Sequence, residues 1–306
     1  MSDWREIIAG AASDRQSGSW AIAKRAAAGL ALAAGEGEPA LREAIERLLA
    51  GQPAMAALWN LANAVAWAAI DAGAGAQAAA DTAREFVRRG ERNAQAIARH
   101  ADGLLRLEAE RAVTLSASSV VEAALRRWRG PVLVLESRPR LEGRDLARRL
   151  AGDGLRVSLA VDAAARVLLD AGDVVVLGAD SVTPHGVSNK IGSWALAAAA
   201  RERGRPVHAL AGPEKWWPLP LPDTSEADRD AREVLPDPIP GVKVRNPYFE
   251  VVPFDLLSAV ITPNGPLPAR QVPAALASWR IHPWLQTLAG RHGDEEARAT
   301  AAGASA

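Results

Sequence analysis

Five short apolar runs set the tightest limit on how this chain can fold: RAVTL (111–115), GPVLVLES (130–137), LRVSLAV (155–161), DVVVLGA (173–179) and RPVHALAG (205–212). Val and Leu dominate them. Helical stretches of about a dozen residues separate one from the next, the spacing of βα units. Strands apolar on both faces belong in a parallel sheet with helices on each side. The fold class that follows is α/β, a Rossmann-like doubly wound parallel sheet. Ligands of such sheets bind outside the carboxyl ends of the strands. Polar residues just after each run therefore carry the functional reading.

The chain before these runs has a different grammar. SWAIAKRAAAGLALAA, EPALREAIERLLAG and AQAAADTAREFVRRGERNAQAIARHADG place apolar residues at helical spacing. Pro39 opens the second of these and Gly51 closes it, while Gly103 marks the end of the third. The expected organisation is a helical domain at 1–110, a Rossmann-like ligand-binding domain at 111–274, and a C-terminal extension at 275–306. Residues 213–247, rich in Pro, Asp and Trp, read as an excursion from the core, and the tail from Arg291 reads as disordered. YFEVVPFDLLSAVITPNG returns to strand, short helix, strand and an Asn-Gly turn.

Composition excludes several chemistries. No cysteine is present, which removes disulfides, thiolate catalysis and Cys-ligated metals. His100, His185, His208, His282 and His292 lack the spacing of a metal site. Nothing in the sequence requires a cofactor. Acids and bases balance at 36 each, so no basic excess points to direct nucleic-acid binding. The start, MSDWREIIAG, has no signal-peptide pattern, and polar residues interrupt the Ala-rich runs before a membrane-spanning length. A cytoplasmic protein is the default expectation.

Three polar clusters follow three of the runs. Asp180 lies just past DVVVLG, where a sheltered carboxylate can act as general acid or base; the alternative is a loop hydrogen-bonder. Asn189 and Lys190 precede IGSWALAAAA, where helix N–H groups and a lysine would hold a phosphate; the alternative is an Asn189 N-cap with Lys190 in solvent. Arg138 and Arg140 flank Pro139 in ESRPRLEGRDLARRL, placed to fork onto an anion, or simply to line a surface turn. TLSASSV, with Ser116 and Ser118, offers hydroxyls and N–H groups at a helix start, for a phosphate or for capping. Together these clusters point to an anionic small ligand, most simply a phosphorylated one.

GADSVTPHGVSNKIGSWALAAAARERGRPV resembles the signature of the translation initiation factor 2B alpha/beta/delta subunit family, which includes methylthioribose-1-phosphate and ribose-1,5-bisphosphate isomerases. ESRPRLEGRDLA and NPYFEVVPFDLLSAVITPNG look like two further blocks of that family, and the likeness extends to about Ala274. The resemblance implies a helical domain on a Rossmann-like domain, usually paired as a homodimer. It also implies roles. Asp180 matches the isomerases' catalytic proton donor, and Asn189, Lys190 and Glu142 match substrate contacts. Ser116 falls on their catalytic cysteine. The phosphate-touching Arg-Gly-Ala becomes Ser17-Gly18-Ser19, with Arg15 nearby as a substitute, and an Arg-Pro at a helix start becomes Gln52-Pro53.

A thiol and an alcohol differ by several pKa units, so Ser116 is a poor proton shuttle near neutral pH. Two readings follow. One is a relative that binds a phosphorylated sugar or nucleotide at its strand ends without established turnover. The other is an aldose–ketose sugar-phosphate isomerase with Asp180 as proton donor.

Overall fold

The computed structural model describes residues 3–14, 17–70, 75–219, 221 and 228–290. Arg15 and the tail from Arg291 lie outside them. The chain divides into two compact units. One comprises Met1–Arg92, Pro213–Pro222 and Ala275–Ala306; the other comprises Asn93–Gly212 and Asp223–Ala274.

The first unit is helical. It holds α1 (Trp4–Ser13), α2 (Ser19–Gly35), α3 (Glu38–Gly51), α4 (Ala56–Ala69) and the start of α5 (Gly75–Glu108). Asp3 caps α1 by accepting the Arg5 N–H at 2.9 Å, and α3 carries Pro39 in its first turn, as the punctuation predicts. The apolar stripes of these helices meet in a core built on Ile8, Ile22, Leu30, Leu41, Leu48, Leu58 and Trp59. Later segments add to it. The Trp217 ring lies 5.3 Å from that of Trp59, tilted by 35°, and Ile281, Leu285 and Leu288 belong to the same cluster. Two asparagines of α4 tie these segments down. Asn60 donates to the carbonyls of Glu214 and Trp216 and accepts from Trp279 Nε1; Asn63 donates to Arg280 O and accepts the His282 N–H.

Helix α5 runs on past Gly103, where the sequence placed its end. A mid-helix glycine costs roughly 1 kcal/mol, and burying Leu105 outweighs it. The division between the units falls within this helix, after Arg92.

The second unit is α/β, as expected. In chain order it adds β1 (Arg111–Leu115), α6 (Ser119–Trp128), β2 (Val132–Leu135), α7 (Glu142–Gly152), β3 (Val157–Ala160), α8 (Ala165–Leu168) and β4 (Asp173–Leu177). Then follow β5 (Ser181–Thr183), β6 (Gly186–Lys190), α9 (Ser193–Glu202), β7 (Val207–Leu210), β8 (Phe249–Val252), β9 (Ala259–Thr262), β10 (Gly265–Pro268) and α10 (Val272–Ala277), whose residues from Ala275 onward fall in the first unit. Seven strands form one sheet in the order β10-β9-β7-β4-β1-β2-β3. All its pairings are parallel except β9 with β10. Strand β3 is at the edge and only partly covered, so it is not apolar on both faces as its Val-Leu content predicted. Strands β5, β6 and β8 form a separate antiparallel sheet; β8 lies in the segment read as strand, while the β5–β6 hairpin was not anticipated.

Candidate functional site at the strand ends

Strand order reverses between β1 and β4. One half of the sheet winds outward through β2 and β3, the other through β7 and β9. In this architecture the carboxyl ends of the strands flanking such a reversal, here β1 and β4, are the usual ligand position. Ser116 directly follows β1, and Gly178-Ala179-Asp180 directly follows β4.

Ser116 is held in the left-handed region at φ 68°. That conformation is uncommon for a residue with a side chain and persists only where neighbours enforce it. The enforcement comes from the next loop. Ser137, itself at φ 65°, accepts the Ser116 N–H on its Oγ at 2.6 Å and donates to Leu135 O at 3.1 Å. The Asp162 carboxylate in turn accepts the N–H groups of Ser137 and Arg138, both at 2.7 Å. Ser118 is the N-cap residue of α6, but its side chain makes no capping bond.

Asp180 is half-buried, and its N–H donates to Ser188 O at 2.8 Å across the base of the β5–β6 hairpin. This hairpin corrects the expectation for Asn189 and Lys190. They close β6 rather than open a helix, and both are buried. Asn189 donates from Nδ2 to Ser193 Oγ at 2.9 Å, and its Oδ1 lies beside Gly178. Helix α9 starts later, after Gly192 at φ 96°, a left-handed position that favours glycine. Nor are the α9 N–H groups open to a phosphate. The Glu250 carboxylate takes the Trp194 N–H at 2.8 Å and also engages Gly192 and Ser193. Burial raises the Glu250 pKa, and those three N–H bonds oppose the rise.

Lys190 is 3% exposed, which rules out the solvated alternative. Its Nζ donates to Glu142 Oε1 at 3.0 Å and lies 4.1 Å from the centre of the Tyr248 ring. Glu142 is the first residue of α7, behind Leu141 at φ 62°. Gly143 lets this turn sit directly on β2: a Cβ there would lie 1.9 Å from Leu135 O. The second carboxylate oxygen, Glu142 Oε2, is buried without a hydrogen-bond partner. Arg138 and Arg140 are exposed, and Arg138 Nη2 donates to Val234 O at 3.4 Å. Arg144 and Arg149, by contrast, pair with Glu136 and Glu122.

The remaining candidates belong to the first unit. Gly18 is the N-cap residue of α2, with no side-chain cap, and Ser19 is its first helical residue. Gly18 is exposed with room for a Cβ, so no steric demand selects glycine. Gln52 is buried, and its Nε2 donates to Asp14 O at 2.6 Å and Ala11 O at 3.3 Å. It thereby anchors the turn that enters α2. Arg15 is outside the described residues. Among those residues no cluster could hold a metal ion, and no helix is long and apolar enough to cross a membrane.

The second unit therefore gathers Ser116, Asp180, Asn189, Lys190 and Glu142 on elements that converge at one end of its strands. Such a set can exchange hydrogen bonds with a polyol and present a carboxylate to it. Sequence reasoning missed Tyr248, Ser137, Asp162 and Glu250. These four act through partners distant in the chain.

Known proteins resemble the chain in sequence and in fold. The chain is 42% identical over 142 residues to ribose 1,5-bisphosphate isomerase of Archaeoglobus fulgidus, covering 45% of each chain. It is 36% identical over 166 residues to methylthioribose-1-phosphate isomerase of Syntrophotalea carbinolica, covering 49% of this chain and 47% of the relative. The matches thus span about half the length of these curated relatives. Among solved structures, translation initiation factor eIF-2B of Pyrococcus horikoshii superposes with a TM-score of 0.75 at 28% identity, over 88% of this chain and 98% of that one. The 5-methylthioribose 1-phosphate isomerase of the same organism superposes at 0.69 and 23% identity, over 90% and 88%, a likeness of fold. With residues 15–269 also matched by its family model, the chain belongs to the Initiation factor 2 subunit family.

Proposed function

We propose that the second unit binds a phosphorylated sugar, free or within a nucleotide, at the carboxyl ends of β1 and β4. The observation that carries this reading is the Glu142–Lys190 pair. It is sunk at the strand edge, and one carboxylate oxygen lacks a partner. Leaving a buried acceptor unsatisfied costs about 1–3 kcal/mol. A sugar hydroxyl donating to Glu142 Oε2 recovers that cost, while Lys190 Nζ and Asn189 receive neighbouring ligand oxygens. The α9 terminus is taken by Glu250, so the phosphate goes to the uncapped N–H groups at the start of α6 and to Arg138.

A second reading adds turnover. It is favoured by Asp180, whose backbone bond to Ser188 fixes a carboxyl group at the end of β4, and by the sequence likeness to two isomerases. In an aldose–ketose conversion, protonated Asp180 would donate to the ring oxygen as the ring opens. The C2 hydrogen then moves to C1 as a proton, and the C2 hydroxyl gives its proton to the Asp180 carboxylate as it becomes the ketone, so no outside reactant is consumed. Ser116 cannot supply the thiolate that such proton movement would otherwise use.

Calorimetry with ribose 1,5-bisphosphate and methylthioribose 1-phosphate tests the binding reading, and phosphorus NMR of the mixtures tests turnover. Binding that is lost in Lys190→Met and Glu142→Leu supports the site. Turnover that disappears in Asp180→Asn, with affinity retained, supports the isomerase. If neither compound binds, nor any nucleotide in a parallel panel, the reading fails.

A further inference from the structure

Resting on that reading of the strand-end site, we infer that Tyr248 is the positioning residue for Lys190, and that it couples residues 228–246 to the ligand edge. A lysine ammonium has three N–H donors. At Lys190 one goes to Glu142 Oε1, and the face of the Tyr248 ring, 4.1 Å away, receives another. The ring thus replaces water on the one side of the ammonium that would otherwise need it. A buried ammonium so enclosed keeps a single direction for its third donor, the direction of the ligand.

The ring is itself fixed at both ends. At the backbone end, Tyr248 O accepts the Ile191 N–H at 2.8 Å, just beyond the register that pairs Lys190 with Phe249. At the other end, its hydroxyl donates to Glu233 Oε2. Glu233 also accepts from Asn246 Nδ2 at 3.1 Å, and buried Asn246 donates to Asp230 O at 2.8 Å. The Arg229 guanidinium lies 5.6 Å from the centre of the same ring. Tyr248 therefore touches both Lys190 and the Glu233 carboxylate of the excursion.

Lysine spectroscopy reads this directly, because the chain has only four lysines, Lys24, Lys190, Lys215 and Lys243. In proton–carbon spectra of lysine-labelled protein, an ε-methylene beneath an aromatic face is displaced upfield by the ring current; Lys190→Met identifies its signal. The displaced signal is expected in the wild type and in Tyr248→Phe, and is lost in Tyr248→Leu. Amide exchange across 228–246 is expected to speed up in Tyr248→Phe, which keeps the ring but drops the bond to Glu233. Affinity for ribose 1,5-bisphosphate should stay within about twofold in Tyr248→Phe and fall roughly tenfold in Tyr248→Leu. A wild-type Lys190 signal at the ordinary lysine position overturns the inference without any variant having to fold. So does a Tyr248→Leu protein that binds as tightly as the wild type. If the wild type binds no ribose 1,5-bisphosphate, the sugar-phosphate reading is what fails, and the lysine spectrum still decides whether Tyr248 holds Lys190.

Discussion

Lys190 illustrates how a single residue can be legible in kind and not in setting. Its presence after a strand-like run marked the site, but neither its burial nor its partners followed from neighbouring residues. Glu142 lies 48 positions away, and Tyr248 sits beyond the Pro-rich excursion. Glu250 was equally hidden: it takes the helix-start donors that the sequence assigned to a phosphate, a role visible only once β8 lies beside β6. The pair makes a prediction at this scale. Lys190→Met strands the Glu142 carboxylate in a largely buried place and should cost about 3 kcal/mol in urea denaturation. Lys190→Met combined with Glu142→Leu should recover most of that loss, because the stranded charge goes with its partner.

At the scale of elements, the alternating apolar runs identified β1, β2, β4 and β7 directly, because buried parallel strands carry their signature in few residues. The β5–β6 hairpin escaped because its strands are short and polar, with only Val182 and Val187 to mark the covered face. Helix α5 outran its glycine signal because burial further along was worth more than local propensity. Element packing also sets two expectations. Gly143→Ala places a methyl against the Leu135 carbonyl, so α7 must lift from β2; a loss of about 3 kcal/mol or more is expected by chemical denaturation. Gln52→Ala removes the bonds that Gln52 donates to Ala11 O and Asp14 O. It should cost about 1–2 kcal/mol and speed amide exchange at Ser17, whose N–H rests on the Asp14 side chain.

For the molecule as a whole, the α/β class and the helical block were readable from periodicity, while the assignment of segments to units was not. No local signal announces that 213–222 and 275–306 group with the first helices. Whole-chain stability also has a pH dependence that can be assigned. His208 is buried on β7, and desolvation lowers its pKa below the ordinary 6.5, against the opposing pull of Glu108, 3.3 Å from Nε2. The folded state therefore prefers the neutral ring. Its contribution is fully present above pH 6.5 and is lost as pH falls from there toward the lower folded value. Thermal melts from pH 7.5 to 5 should show the wild type losing more stability than His208→Gln.

The scattered make-up of the first unit also has a consequence for biosynthesis. A ribosome releases the chain from one end, so α1 to α4 emerge long before Trp217, and longer still before Ile281, Leu285 and Leu288, which share their core. Through that interval the early helices lack part of their apolar cover, and a transcript truncated before residue 275 leaves them so permanently. Such a product should be a substrate for chaperones and proteases, and splitting the gene at the helical–α/β transition should yield no independently soluble half.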